Sequence, residues 1–151
     1  CESPINIEGD MTRLSITYPG HTLFSCTLPV RIGDINYGQH LAHDKLISML
    51  HEARAQFFIH VGMQESNIAG LGIIMADLSI CYQAEAFHPD QLNINIAIED
   101  PSRCGFNMLY QVSKNNGETI IATAKTGLLF MDYHKKKISA MPKEFKQLID
   151  P

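Results

Sequence analysis

One long stretch of this chain has the spacing of an amphipathic helix, and almost everything after it alternates apolar and polar residues with period two. From Asp44 to Val61, residues Leu46, Ile47, Leu50, Ala53, Phe57, Phe58 and Val61 recur at helical spacing and form a single apolar stripe. Asp44 in the first turn suits the positive end of the helix dipole, and Gly62 is placed to stop the helix. A helix with one apolar stripe must lie on an apolar surface, and the alternating runs supply it.

Before the helix, Phe24, Cys26, Leu28, Val30 and Ile32 alternate with smaller or polar residues, predicting a half-buried strand within His21 to Ile32. Pro29 cannot donate to a ladder, which puts this strand at an edge or marks a bulge. After the helix, three further strands are predicted by the rows Ile74, Ala76, Leu78, Ile80, Tyr82, then Leu92, Ile94, Ile96, Ile98, then Phe106, Met108, Tyr110, Val112. Asn116-Gly117 tolerates the positive backbone angles of a tight hairpin and leads into a last strand, Thr119 to Tyr133. Pro142 opens a short helix to Ile149. Residues 1–20 show no clear period and are expected to be a loosely packed lead-in, with residues 21–151 forming a single domain large enough to bury one core. The order of elements is α+β: an antiparallel sheet of about five strands with one long central helix laid across it. That helix covers only part of one sheet face, so a homo-oligomer, dimer or tetramer, is expected.

Composition removes several classes of function. A formal net charge of -4 gives no reason to expect nucleic acid or an acidic membrane as partner, and the basic run Lys135 to Lys137 reads as a solvated strand end. Cys1, Cys26, Cys81 and Cys104 stand far apart without C-x-x-C spacing, and the last three fall inside apparent strands as small apolar residues. No run approaches the ~20 apolar residues of a membrane span, and the N-terminus lacks signal-peptide character. A cytoplasmic protein with reduced thiols is expected.

The residues that carry chemistry crowd into Arg31 to Arg54. The turn after the first strand holds Gly33, Asp34, Asn36, Gly38 and His40, and the helix carries His51, Glu52 and Arg54. An acid, an amide and an imidazole thus converge where a strand meets a helix. Familiar motifs do not fit. His51-Glu52 would need histidine where Ala55 stands to make a zinc protease, there is no G-x-S-x-G elbow, and Gly70-Leu71-Gly72 is too short for a phosphate loop. His40 and His43 find no acid or cysteine to complete a ligand set, so neither metal nor cofactor is expected.

These residues resemble the signature of the hotdog-fold acyl-coenzyme A thioesterases, the 4-hydroxybenzoyl-coenzyme A thioesterase-like branch. There a strand ending in G-D-x-D-x-x-G-H-x-N-N leads into a central helix with E-x-A-R or E-A-R. Here the strand end reads Gly33-Asp34-Ile35-Asn36, the imidazole is His40, and the helix supplies Glu52-Ala53-Arg54. The order of elements matches over roughly residues 22–133. Two positions depart from the pattern: Asn36 replaces the second acid, and Ala42-His43 replaces the amide pair. An amide is neither a general base nor a carboxylate nucleophile.

The resemblance implies a sheet wrapped around the helix, an acyl-CoA thioester as substrate, and sites at a subunit interface. In a second branch of these enzymes the working carboxylate sits on the central helix, which makes Glu52 the replacement acid here. Asn36 and His40 would then orient water or the carbonyl. Backbone N–H groups around Ala42 and His43 would polarise the thioester, and Gly38 would permit close approach. Arg103, Lys114 and Lys125 are the cations expected to meet coenzyme A phosphates. Each residue also has a plainer reading: Glu52 as a solvated side chain on the polar flank, His40 as a loop hydrogen-bonder, Asn36 as a turn residue. Asp34 and Arg54 are assigned to structure, as an ion pair with each other. A non-catalytic acyl-thioester binding protein is the alternative that Asn36 suggests; a hotdog dehydratase or hydratase is disfavoured, because the residue five after Asp34 is Gln39 rather than histidine.

Overall fold

The computed structural model describes residues 14–149, so residues 1–13 of the expected lead-in lie outside the described residues. In chain order the elements are β1 (Phe24–Pro29), a 3-10 turn (Ile32–Asp34), α1 (His43–His60), β2 (Gly72–Tyr82), β3 (Gln91–Glu99), β4 (Gly105–Lys114), β5 (Thr119–Asp132), β6 (Lys137–Ile138) and α2 (Lys143–Ile149). The strands form one antiparallel sheet in the order β1-β3-β4-β5-β2, with β6 a two-residue addition to β5. This is the α+β hotdog architecture: a sheet wrapped around one long central helix.

The sheet's inner face is built by the period-two rows. Leu92, Ile94, Ile96, Met108, Tyr110 and Val112 are fully buried against α1 or its neighbours, as are Ala122, Ala124 and Phe130 of β5. From the helix come Leu46, Met49, Leu50, Ala53, Phe57 and Phe58. Each fully buried Leu, Ile or Phe contributes about 1.5–3 kcal/mol, so this face dominates the stability. Gly62, at φ +83°, ends the helix by letting Met63 N–H reach back to Phe58 O at 2.8 Å. Phe145 of α2 closes one end of the core against Phe58, Phe106 and Phe130.

On the outer face, Ile16 is buried with Cys81, Ala97 and Leu109, and Tyr18 packs beside them. The described end of the lead-in therefore covers part of that face. Cys81 Sγ donates to Leu14 O; Cys104 stops one residue short of β4.

The registers decide where a site can form. Pro29 pairs with Gln91, Lys114 with Thr119, and Tyr82 with Ala122. One end of the sheet thus gathers the end of β1, the N-terminus of α1, the end of β2, the start of β3 and the β4–β5 hairpin. The opposite end, where Gly105 pairs with Leu129, carries α2.

Candidate active site

The turn between β1 and α1 is held by its own polar groups. Asp34 is buried and its carboxylate accepts Arg31 N–H at 2.9 Å and faces Arg31 Nε at 3.5 Å. The expected Asp34–Arg54 pair does not form. Arg54 donates instead to Glu65 Oε1 at 3.2 Å and to Tyr110 Oη at 3.3 Å. The physical reason is direction: the chain after α1 folds back to bring Glu65 along the helix flank, where it also meets His51 at 3.2 Å. Burial outweighs the pull of Arg54 and the Thr126 bond at 2.8 Å, and leaves the Tyr110 hydroxyl harder to ionise than usual.

Asn36 is a turn residue, as one reading held, and its geometry assigns its two amide atoms. Its Oδ1 accepts the backbone N–H groups of Gly38 at 3.0 Å and His40 at 3.2 Å. The oxygen is therefore engaged by the loop, and Nδ2, which has no partner among the described residues, is the atom left for a ligand. A side chain at Gly38 would press on both Asn36 Oδ1 and His40 Cδ2. Glycine keeps the space between the amide and the imidazole open.

His40 and Leu41 pair with the segment between β2 and β3, through an isolated bridge to Phe87 and a Leu41 N–H to Ala86 O bond. This brings His40 Nδ1 to 2.9 Å from Glu85 Oε2. The imidazole also lies against the Phe87 ring, with centroids 5.3 Å apart. His40 Nε2 makes no hydrogen bond among the described residues.

α1 begins without a side-chain cap. Ala42 N–H is already given to Asp34 O, while Lys45 and Leu46 N–H both turn to Ala42 O. The N–H groups of His43 and Asp44 therefore have no acceptor among the described residues, and they sit at the positive end of the helix. The free N–H groups nearest the expected positions, Ala42 and His43, are thus those of His43 and Asp44. The Tyr82 ring lies tilted against the His43 ring, centroids 4.4 Å apart, and its hydroxyl donates to His43 O at 3.3 Å. Asn36, His40, His43 and Glu85 share one cavity of about 420 Å³, floored by Leu46 and Ile121.

The other expected site residues lie elsewhere in this chain. Glu52 is exposed on the opposite flank of α1, in a groove of about 410 Å³ with Arg31, Asp34 and Lys45, and accepts from Gln56 at 2.8 Å. Leu28 and Pro29 line the same groove, which puts Glu52 on the β1 side, and burial, with the charge of Glu52 second, holds the Cys26 thiol above its usual pKa. Arg103 lies at the far end beside Met141 and Lys146. Lys125 pairs in register with Leu109 on the outer face. Lys114 is at the right end, but its Nζ donates to Glu85 O and Asp90 Oδ2, both at 3.1 Å. Glu85 had no signal in the sequence, because residues 83–90 have no period. Among the described residues, no three His, Cys, Asp or Glu side chains group to hold a metal ion.

The family model described as the thioesterase-like superfamily matches residues 30–149. The chain belongs to this superfamily. No curated protein matches it. Among solved structures, this thioesterase-like chain is similar to a 1,4-dihydroxy-2-naphthoyl-CoA thioesterase from Synechocystis, at 21% identity and a TM-score of 0.76 over 83% of this chain and 94% of that one. A hypothetical protein of Staphylococcus aureus in complex with CoA is 17% identical, with a TM-score of 0.76 over 89% and 85%. A gentisyl-coenzyme A thioesterase is 14% identical, with a TM-score of 0.74 over 83% and 99%. At these identities the likeness is one of fold. Among the described residues of this superfamily member, no helix is long and apolar enough to cross a membrane.

Proposed function

We propose that this thioesterase-like protein hydrolyses the coenzyme A thioester of a compact acyl group, with His40 as general base. One observation carries the reading: His43 at the N-terminus of α1, the Asn36 amide and the His40 imidazole line the same cavity of about 420 Å³. The His43 and Asp44 N–H groups take the thioester carbonyl oxygen, where negative charge develops, and Asn36 Nδ2 adds a third donor. His40 Nε2 removes a proton from water as the water oxygen bonds to the carbonyl carbon. The C–S bond then breaks, and His40 returns the proton to the departing sulfur. One water is consumed, and a free acid and a thiol are released.

Coenzyme A as carrier is supported by the similar protein in complex with CoA. A compact acyl group is supported by the cavity's size and by the naphthoyl- and gentisyl-CoA thioesterases of the same fold. A second copy pairs along β2, whose eleven residues leave one edge open without proline or lysine. A reducing cytoplasm suits Cys26, Cys81 and Cys104, which are free thiols. Glu52 lies outside this chain's own cavity, so the helix-carboxylate mechanism requires it to act from a second copy.

Thiol release from short, long and aromatic acyl-CoA substrates tests the reading. His40→Gln is expected to lower kcat about 10²–10⁴-fold, while Glu52→Gln stays within about twofold of the parent. The reverse pattern moves the chemistry to the helix carboxylate. Saturable binding of one thioester with no thiol release makes the protein a binder, the alternative that Asn36 keeps open. Conversion to a 3-hydroxyacyl or enoyl product identifies a hydratase.

A further inference from the structure

We propose that Glu85 is the positioning residue of His40, supplying from the β2–β3 connection the carboxylate that Asn36 cannot provide, and that Lys114 holds Glu85 in place. The inference rests on the hydrolase reading for its kinetic consequence and on geometry alone for its structural one. His40 Nδ1 and Glu85 Oε2 are 2.9 Å apart, with side chains 36% and 62% exposed. A half-exposed pair of this kind adds little to folding stability. Its effect is on orientation: a carboxylate accepting the Nδ1 proton selects the tautomer whose Nε2 lone pair is free.

The segment bearing Glu85 is tied down in a way that a passing surface contact does not need. Lys114 Nζ, on β4, donates to Glu85 O and to Asp90 Oδ2, and sits 5.2 Å from the centre of the Phe87 ring. The Phe87 ring in turn lies against His40. Asp90 Oδ2 also accepts Phe87 N–H at 2.9 Å. Burial pushes the Asp90 carboxyl up, but the Phe87 and Lys114 bonds outweigh it and hold the group below its usual range, so the tether stays charged. One cation thus fixes both ends of residues 85–90, and that segment presents a carboxylate and an aromatic ring to one imidazole. Lys114, expected from the sequence to meet coenzyme A, acts through Glu85.

The test uses the full chain. Long-range 15N–1H spectra in mildly alkaline buffer, where an ordinary imidazole is neutral, report the His40 tautomer. The parent is expected to hold the proton on Nδ1, Glu85→Ala to shift it towards Nε2, and Glu85→Gln, which keeps an acceptor oxygen, to retain it on Nδ1. In thiol release, Glu85→Ala is expected to lower kcat about 10–100-fold with KM changed less than about twofold. Glu85→Gln and Lys114→Met should fall between Glu85→Ala and the parent. Unchanged tautomer populations in Glu85→Ala overturn the proposal, and so does unchanged kcat in a parent enzyme that His40→Gln inactivates. A parent inactive on every thioester sinks the hydrolase reading alone, since the tautomer spectra still decide the role of Glu85.

Discussion

Arg54 illustrates how much one side chain's chemistry predicts and where it stops. A guanidinium beside an apolar helix stripe requires an anion, and that requirement was legible from its position. Which anion was not: Asp34 precedes the helix, Glu65 follows it, and neither stretch shows a period in the sequence. The structure leaves the Arg54 side chain 8% exposed, bound to Glu65 and Tyr110. Removing the guanidinium leaves the Glu65 carboxylate with only His51 and the buried Tyr110 hydroxyl with only Thr126. Arg54→Ala is therefore expected to lower the unfolding free energy by about 2–4 kcal/mol, read as a lower midpoint in urea titration. A loss below about 0.5 kcal/mol would class the pair with exposed ion pairs and refute the core role.

The elements themselves were readable because their signals are local. α1 spans His43–His60 where Asp44 to Val61 was expected, β3 covers the row from Leu92 to Ile98, and positive φ at Asn115, Asn116 and Gly117 makes the β4–β5 turn. β1 lies at a sheet edge, as Pro29 required. Strand order was hidden, because four alternating runs look alike until they pair. β2 skips β3 and joins β5, with a register shift between Met75 and Asp77 and the Asp77 carboxylate accepting Gly127 N–H at 2.9 Å. Close packing of backbones in this sheet gives a sharp test at Gly105, where an added Cβ runs into Leu128 O and the Leu129 side chain. Gly105→Ala is expected to cost about 1–3 kcal/mol. Gly33→Ala, with open space around its Cβ, should stay within about 0.5 kcal/mol. Equal effects in thermal melts would deny the β4–β5 crowding.

For the molecule as a whole, the two edges of the sheet differ in what they offer a second copy. β1 is six residues long and carries Pro29, whereas β2 offers an eleven-residue open edge with Met75 44% exposed. Light scattering is expected to give twice the chain mass, and Met75→Lys to shift the protein towards monomer, because an edge lysine opposes strand pairing. A parent that is monomeric at every concentration removes the shared-edge proposal and, with it, any route for Glu52 into a neighbouring cavity.

Periodicity and turn chemistry were enough to specify a helix, its strands and the turn that bears Asn36 and His40, and the resemblance carried by Gly33 to Arg54 implied the hotdog architecture. All of these depend on residues close together in the chain, whose side-chain directions follow from backbone geometry. The order of the strands, the groove that the Glu52 flank faces, the pairing of Arg54 with Glu65 and the meeting of His40 with Glu85 depend on contacts between distant segments. Such contacts are set by which surfaces bury each other best, and no local pattern encodes them.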